Sequence, residues 1–497
     1  MAKYQQGFPV NENGEIVVSG TNQSVVGVLP IDMLPVDDDG GLKLGNVATL
    51  ATDAGGNPVG ISAGAKTVNI NRTDLAPEGF PLVFAPRVGN QAASANATLA
   101  NVSRVSGDGK NLNGLSITAN AGTNCSVDFN VTSTTIASGL VGFLFYVTVP
   151  AGEVIAPTFY LADGSGFTNA YSRNTNIYQT GWYYFCPGKP TDSQTTKWGV
   201  VGGTPAFGTT GFTRIRVRLD YSSGKTPNIE LYGVFEAPKP SVSKVAFVLD
   251  DGWLTQYTVA APIFERYRAP MTCAIIAGLV DSNPAYMTLA QLKDLKTRGH
   301  QIAVHGPTGG TGSLLNYSGD TDPKASVLAD LAYHQSYVVN NGLAENGSER
   351  CYVYPQGYFQ FGNGDTRIID AMKQLGFVGA RGVAGNLDPM KPVHGYDPFS
   401  TLFVAGHSWS SSDETGNITA IIARINEAAA SGRDVMIMMH KFLTTTPTDV
   451  MEIQDTNLIK LLEAVSKNRQ AGTQKFSYLS DILFSHAGLQ IESHSIS

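Results

Sequence analysis

Three apolar stretches in the second half of this 497-residue chain each run straight into side chains able to do chemistry. Val245-Ala246-Phe247-Val248-Leu249 leads into Asp250-Asp251-Gly252, Ile302-Ala303-Val304 into His305, and Val435-Met436-Ile437-Met438-Met439 into His440. Carboxylates and imidazoles are the groups that exchange protons near neutral pH or hold a divalent cation. Each signal is weak by itself: Asp-Asp-Gly is ordinary turn chemistry, and a lone histidine after a strand is usually structural. Together, and in this order, they are harder to dismiss, because the loops after the strands of a parallel sheet converge at one end.

The elements that would bring them together can be read around them. Lys244 to Leu249, Thr272 to Ile276, Gln301 to Val304, Phe377 to Ala380 and Asp434 to Met439 have the apolar texture of buried strands. Between and after them, Thr258 to Tyr267, Met287 to Arg298, Asp365 to Leu375, Asn417 to Ala430 and Thr456 to Arg469 carry helical periodicity, with stop signals at Gly299 and Gly376. Strand–helix alternation over residues 243–486 predicts an α/β fold whose parallel sheet closes, or nearly closes, as a distorted (β/α) barrel.

This order of residues resembles the polysaccharide deacetylase family, also called the NodB-homology or family 4 carbohydrate esterase domain. Asp250-Asp251-Gly252 matches its first motif, and Gly299-His300-Gln301-Ile302-Ala303-Val304-His305 its second. Tyr354-Pro355-Gln356-Gly357-Tyr358 matches the third, and Ile425 to Gly432 leading to His440 the last. The resemblance implies that Asp251 and His305 bind a divalent ion, zinc being the expected one. It further implies that Asp250 is the base on water, His440 the acid toward the leaving group, and the Gln356 backbone N–H a donor to the oxyanion. Tyr354, Pro355, Tyr358 and Trp253 are expected to contact substrate. One departure stands out: the second motif usually has another histidine four residues after the first, where this chain has Gly309. His407 and His394 are the expected replacements, whereas His334 is read as a helix-surface residue and His300 as structural. Gly309-Gly310-Thr311-Gly312 lacks the Lys-Ser/Thr of a phosphate-binding loop.

The first half has a different texture. Residues 1–85 are rich in Gly, Asn, Asp and Val, without helical period, and read as an extended β-rich attachment or oligomerisation segment. Residues 86–238 alternate short strands with Gly, Asn and Ser clusters, the pattern of a β-sandwich or jelly roll. Tyr171, Tyr178, Trp182, Tyr183, Tyr184 and Trp198 could there form a sugar-stacking platform like that of a carbohydrate-binding module, against the simpler reading that most are core. Glu236-Ala237-Pro238-Lys239-Pro240 reads as the linker that follows.

A net charge of -7 provides no electrostatic footprint for nucleic acid or an anionic membrane. The four cysteines have no CxxC spacing and are expected as buried free thiols. The N-terminus lacks the apolar core of a secretory signal. Together with the β-rich first half and the enzyme-like far end, this resembles a bacteriophage tail spike or tail fibre. That resemblance implies a virion-associated protein acting at the host cell surface on a bacterial polysaccharide. Residues 1–85 would then join tail or baseplate proteins, and the assembly would be a homotrimer. Two other readings stay open: a non-catalytic glycan-binding adhesin on a degenerate deacetylase fold, and an intracellular deacetylase of small acetylated metabolites.

Overall fold

A computed structural model describes residues 3–5, 8–10, 70–72, 82–105, 111–120, 122–136, 140–150, 152–164, 166–177, 180–187, 198–203, 206, 209, 211–222, 224–236, 242–307, 312–362, 365–382, 393–395, 404–406, 414–432, 434–486 and 489–491. The chain forms two compact units, one of Met1–Asp74 with Gly488–Ser497 and one of Leu75–Ala487. In the first, Lys3–Gln5 pairs antiparallel with Phe8–Val10, and Ile70–Arg72 with Leu489–Ile491.

Within the second unit, the regular elements among the described residues up to Glu236 are strands, in two antiparallel sheets that share one core. The period-2 pattern of Phe212–Asp220 shows why: Ile215, Val217 and Leu219 are fully buried, while Arg214, Arg216 and Arg218 alternate with them on the other face. Those outward arginines are partly tied down, Arg216 by a two-pronged pair to Asp128 at 2.6 and 2.8 Å. The inner face holds Phe129, Phe143, Phe145, Phe159 and Phe185. Tyr171, Tyr183 and Trp198 belong to that same core, at 8%, 3% and 1% exposure, so they cannot form a sugar platform. Tyr178 and the side chains of Trp182 and Tyr184 lie outside the described residues.

From Ser243 the architecture becomes a parallel sheet. Its strands are β1 (Ser243–Asp251), β2 (Thr272–Ile276), β3 (Gln301–His305), β4 (Cys351–Val353), β5 (Gly379–Arg381), β6 (Val404–Gly406), β7 (Val435–Met439) and β8 (Gln474–Phe476). They lie in the order β5-β4-β3-β2-β1-β7-β6, with β8 pairing the start of β1. Val245 to Leu249 is an unbroken apolar run with every residue at 0% exposure, buried on both faces of the sheet. The sheet is a half-barrel: among the described residues β5 and β6 do not pair, and Val393–Gly395, from the connection between them, instead pairs antiparallel with Gly181–Phe185. A closed barrel is therefore not what these residues form.

The α/β alternation follows local chemistry. Helix Leu289–Thr297 starts at a capping box in which Thr288 accepts from the Gln291 N–H and the Gln291 side chain accepts from Thr288 N–H. Helix Pro323–Asn340 buries Val327, Asp330, Leu331, His334 and Val338, spaced along one face. This overturns the helix-surface reading of His334. It is 1% exposed, its Nδ1 accepts from the Ala277 N–H at 3.1 Å, and its Nε2 lies 3.6 Å from Asp330. His300 is structural as expected, accepting the Met271 N–H beside Glu265. All four cysteines are free and buried. Among the described residues, no helix is long and apolar enough to cross a membrane.

Candidate active site

The parallel register brings the polar residues to one level. Leu249 lies across from Met439, so Asp250 and His440 follow side by side at the ends of β1 and β7. On the other side the rungs run Ile276–His305, His305–Val353 and Val353–Arg381, one step beyond Asp251–Ile275. Asp250, Asp251, His305, Arg381 and His440 thus converge from four strands. Gln256, fully buried, clamps two of them: its amide donates to the carbonyls of Asp250 at 2.6 Å and His440 at 3.0 Å.

Asp250 is 3% exposed. Its Oδ2 accepts from Arg381 Nη2 at 2.5 Å and lies 3.9 Å from His440 Nε2, while Oδ1 has no partner among the described residues. Arg381 is fully buried, and sequence reasoning missed it because it ended that strand at Ala380. The signal was available: Arg381 ends an apolar strand as His305 does.

Asp251 has φ +74°, a left-handed conformation uncommon for a residue with a Cβ. Its Oδ1 lies 3.3 Å from His305 Nε2, and its Oδ2 accepts from the Trp253 indole N–H at 3.0 Å. Burial opposes the ionised carboxyl, but the hydrogen bond and charge of His305 outweigh it and pull its pKa down to about 2. Conversely, burial disfavours charge on His305, and the Asp251 hydrogen bond with both aspartate charges raises its pKa regardless. The other ring nitrogen, Nδ1, is 2.7 Å from the Val353 carbonyl, which can only accept, so Nδ1 carries a hydrogen and Nε2 faces Asp251. For His440 burial dominates and lowers the pKa, with the Arg381 charge adding to the effect.

The expected substrate contacts divide. Tyr354 is fully buried with its hydroxyl on Met372 Sδ, and Pro355 is buried too. Gln356, at φ +55°, and Tyr358, 46% exposed, do face outward. Trp253 stacks on Tyr286 with centroids 4.5 Å apart, and the Lys441 ammonium lies 4.4 Å from its centroid. Of the expected replacement ligands, His407 and the side chain of His394 lie outside the described residues; the His394 backbone is on the strand whose register pairs it with Tyr184. Gly309 also lies outside the described residues.

The donor chemistry fits a divalent ion in kind, a carboxylate beside an imidazole whose Nδ1 is anchored to a carbonyl. In number it falls short: among the described residues no group of three His, Cys, Asp or Glu is assembled.

A family model for polysaccharide deacetylase matches residues 237–380. That stretch takes in Asp250, Asp251, His305 and Gln356 and stops one residue before Arg381. No curated protein matches. Solved structures that resemble the chain include a family 4 carbohydrate esterase from Streptomyces lividans in complex with acetate, at 10% identity, covering 51% of this chain and 98% of that one, TM-score 0.32. The Xyl-CE4 domain of a xylanase from the hindgut metagenome of Trinervitermes trinervoides is 15% identical, covering 51% and 95%, TM-score 0.30. Streptococcus pyogenes deacetylase PplD in complex with acetate is 20% identical over 28% of this chain, TM-score 0.23, and the match spans 54% of that structure. It is thus over residues 237–380 that this chain is similar to the polysaccharide deacetylase family.

Proposed function

We propose that the chain hydrolyses acetyl groups from a bacterial surface polysaccharide, with its chemistry at the ends of β1, β3, β5 and β7. The observation that carries this reading is the convergence of Asp250, Asp251, His305 and His440 within two rungs of one parallel sheet. Asp251 and His305 are the residues that would hold a divalent ion, zinc in the first instance. Such an ion would supply Lewis acidity at the acetyl carbonyl and acidify a water.

The chain's own groups divide the proton work. Arg381 fixes Oδ2 of Asp250, leaving Oδ1 as the oxygen that takes the proton of the attacking water. His440 delivers a proton to the departing amine or hydroxyl, and its lowered pKa makes it a readier donor once protonated. The outward turn at Gln356 presents its backbone N–H toward the negative charge that builds on the carbonyl oxygen. Around this centre, the β-rich regions before it would supply attachment and glycan contact, as in a phage tail spike.

The test is acetate release from acetylated polysaccharides by the full chain and by Asp250→Asn, each with added zinc and with chelator. Release that requires both zinc and Asp250 supports the proposal. A non-catalytic glycan-binding protein is the second reading, favoured by the finding that no group of three donors is assembled among the described residues. No release and no metal uptake, with glycan binding retained, would select it.

A further inference from the structure

We propose that Trp253 is a positioning residue: its indole N–H holds one oxygen of Asp251 so that the other alone is presented beside His305 to a metal ion. The inference rests on the reading above, from which Asp251 takes its role as ligand. Carboxylates bind cations through one oxygen or two, and a ligand free to rotate spends part of its time turned away. Here the donor-only indole sits 3.0 Å from Oδ2, while Oδ1 stands 3.3 Å from His305 Nε2. The two oxygens are thereby given different jobs.

The indole is itself held on several sides. Its ring stacks on Tyr286 at an interplanar angle of 25° and carries the Lys441 ammonium 4.4 Å from its centroid. The backbone fixes that stack. Trp253 and Tyr286 form an antiparallel bridge, flanked by Leu254 N–H to Ala285 O at 2.8 Å and Met287 N–H to Gly252 O at 3.0 Å. The left-handed backbone at Asp251 sets where the carboxylate starts, and the indole sets its rotation. An aromatic residue two positions after a ligand, seemingly placed for substrate, thus acts on the ligand instead. A ligand held in place by such a partner binds more tightly than one free to turn.

The test uses the full-length chain stripped of metal, with affinity for Zn2+ alone measured by competition against a chromophoric chelator, and the melting temperature of the metal-free protein as control. Trp253→Phe keeps an aromatic ring beside Tyr286 and Lys441 and deletes the N–H, together with the second ring of the indole. It should weaken zinc binding by about tenfold or more with the metal-free melting temperature unchanged, the size seen when a partner of a metal ligand is removed. Should that variant melt early, Tyr286→Leu keeps the N–H but removes the stacked support and must also weaken zinc. Wild-type affinity in the folded variant overturns the inference while leaving the deacetylase reading intact. Wild-type protein whose zinc uptake is absent, or indifferent to Asp251→Asn, overturns the metal role of Asp251 and the inference with it.

Discussion

The guanidinium of Arg381 is fully buried and donates one N–H to Asp250, while its Nε and Nη1 have no partner among the described residues. A buried ion pair contributes little net stability, but removing one partner strands a charge and costs roughly 3–5 kcal/mol. Arg381→Met should therefore lower unfolding free energy by about 3 kcal/mol in urea titrations and abolish acetate release. The double variant Arg381→Met with Asp250→Asn should recover much of that loss while staying inactive, because the stranded charge is gone. If the single and double variants are equally unstable, the pair is not what Arg381 serves. This residue was hard to find in sequence because an arginine one step past an apolar run resembles a solvated strand end, and only the register to Val353 places it in the interior.

Among the elements, the turn after β3 shows how closely the sheet end is packed. A Cβ on Gly306 would come within 2.9 Å of the Tyr352 hydroxyl, 3.2 Å of Asp330 Oδ2 and 3.3 Å of the His334 ring. All three are buried, Asp330 and His334 on helix Pro323–Asn340 and Tyr352 on β4, and cannot yield freely. Gly306→Ala should cost roughly 1–3 kcal/mol through overpacking and displace His305, its neighbour in sequence. Thermal unfolding would register the first effect and acetate release the second; a variant with wild-type stability and rate would contradict this account. The helix starting after Thr288 could be located from its Thr-x-x-Gln pattern, because capping is a contest within four residues. The π-helical turn Gln256–Ala260 could not, because its glutamine side chain bridges the ends of two strands, at Asp250 and at His440, the latter 184 residues beyond Gln256 in sequence.

At the scale of the molecule, the expectation of three regions meets two compact units, in which the last ten residues group with the first 74. A β-rich first half was legible because alternation repeats along each strand, as at Thr213 to Leu219. The role of its aromatic residues was not, since a tyrosine or tryptophan reads alike whether it faces solvent or a second sheet. The tail-spike proposal makes one direct prediction here: full-length protein in light scattering should have three times the mass of the chain. A monomer at micromolar concentration would remove the argument for that setting, without touching the deacetylase domain.

By itself the sequence determined which residue types stand at the ends of which strands, and with them the deacetylase resemblance, because strand length, capping and turn chemistry are local. Tertiary structure alone decided what those residues touch. It turned Tyr354 into the core, buried His334 against the Ala277 N–H, sent His394 to a different sheet, brought Arg381 to Asp250 and aimed Trp253 at Asp251. Register between strands and the packing of helices on them are long-range properties, settled by the whole buried interior, and no window of sequence contains them.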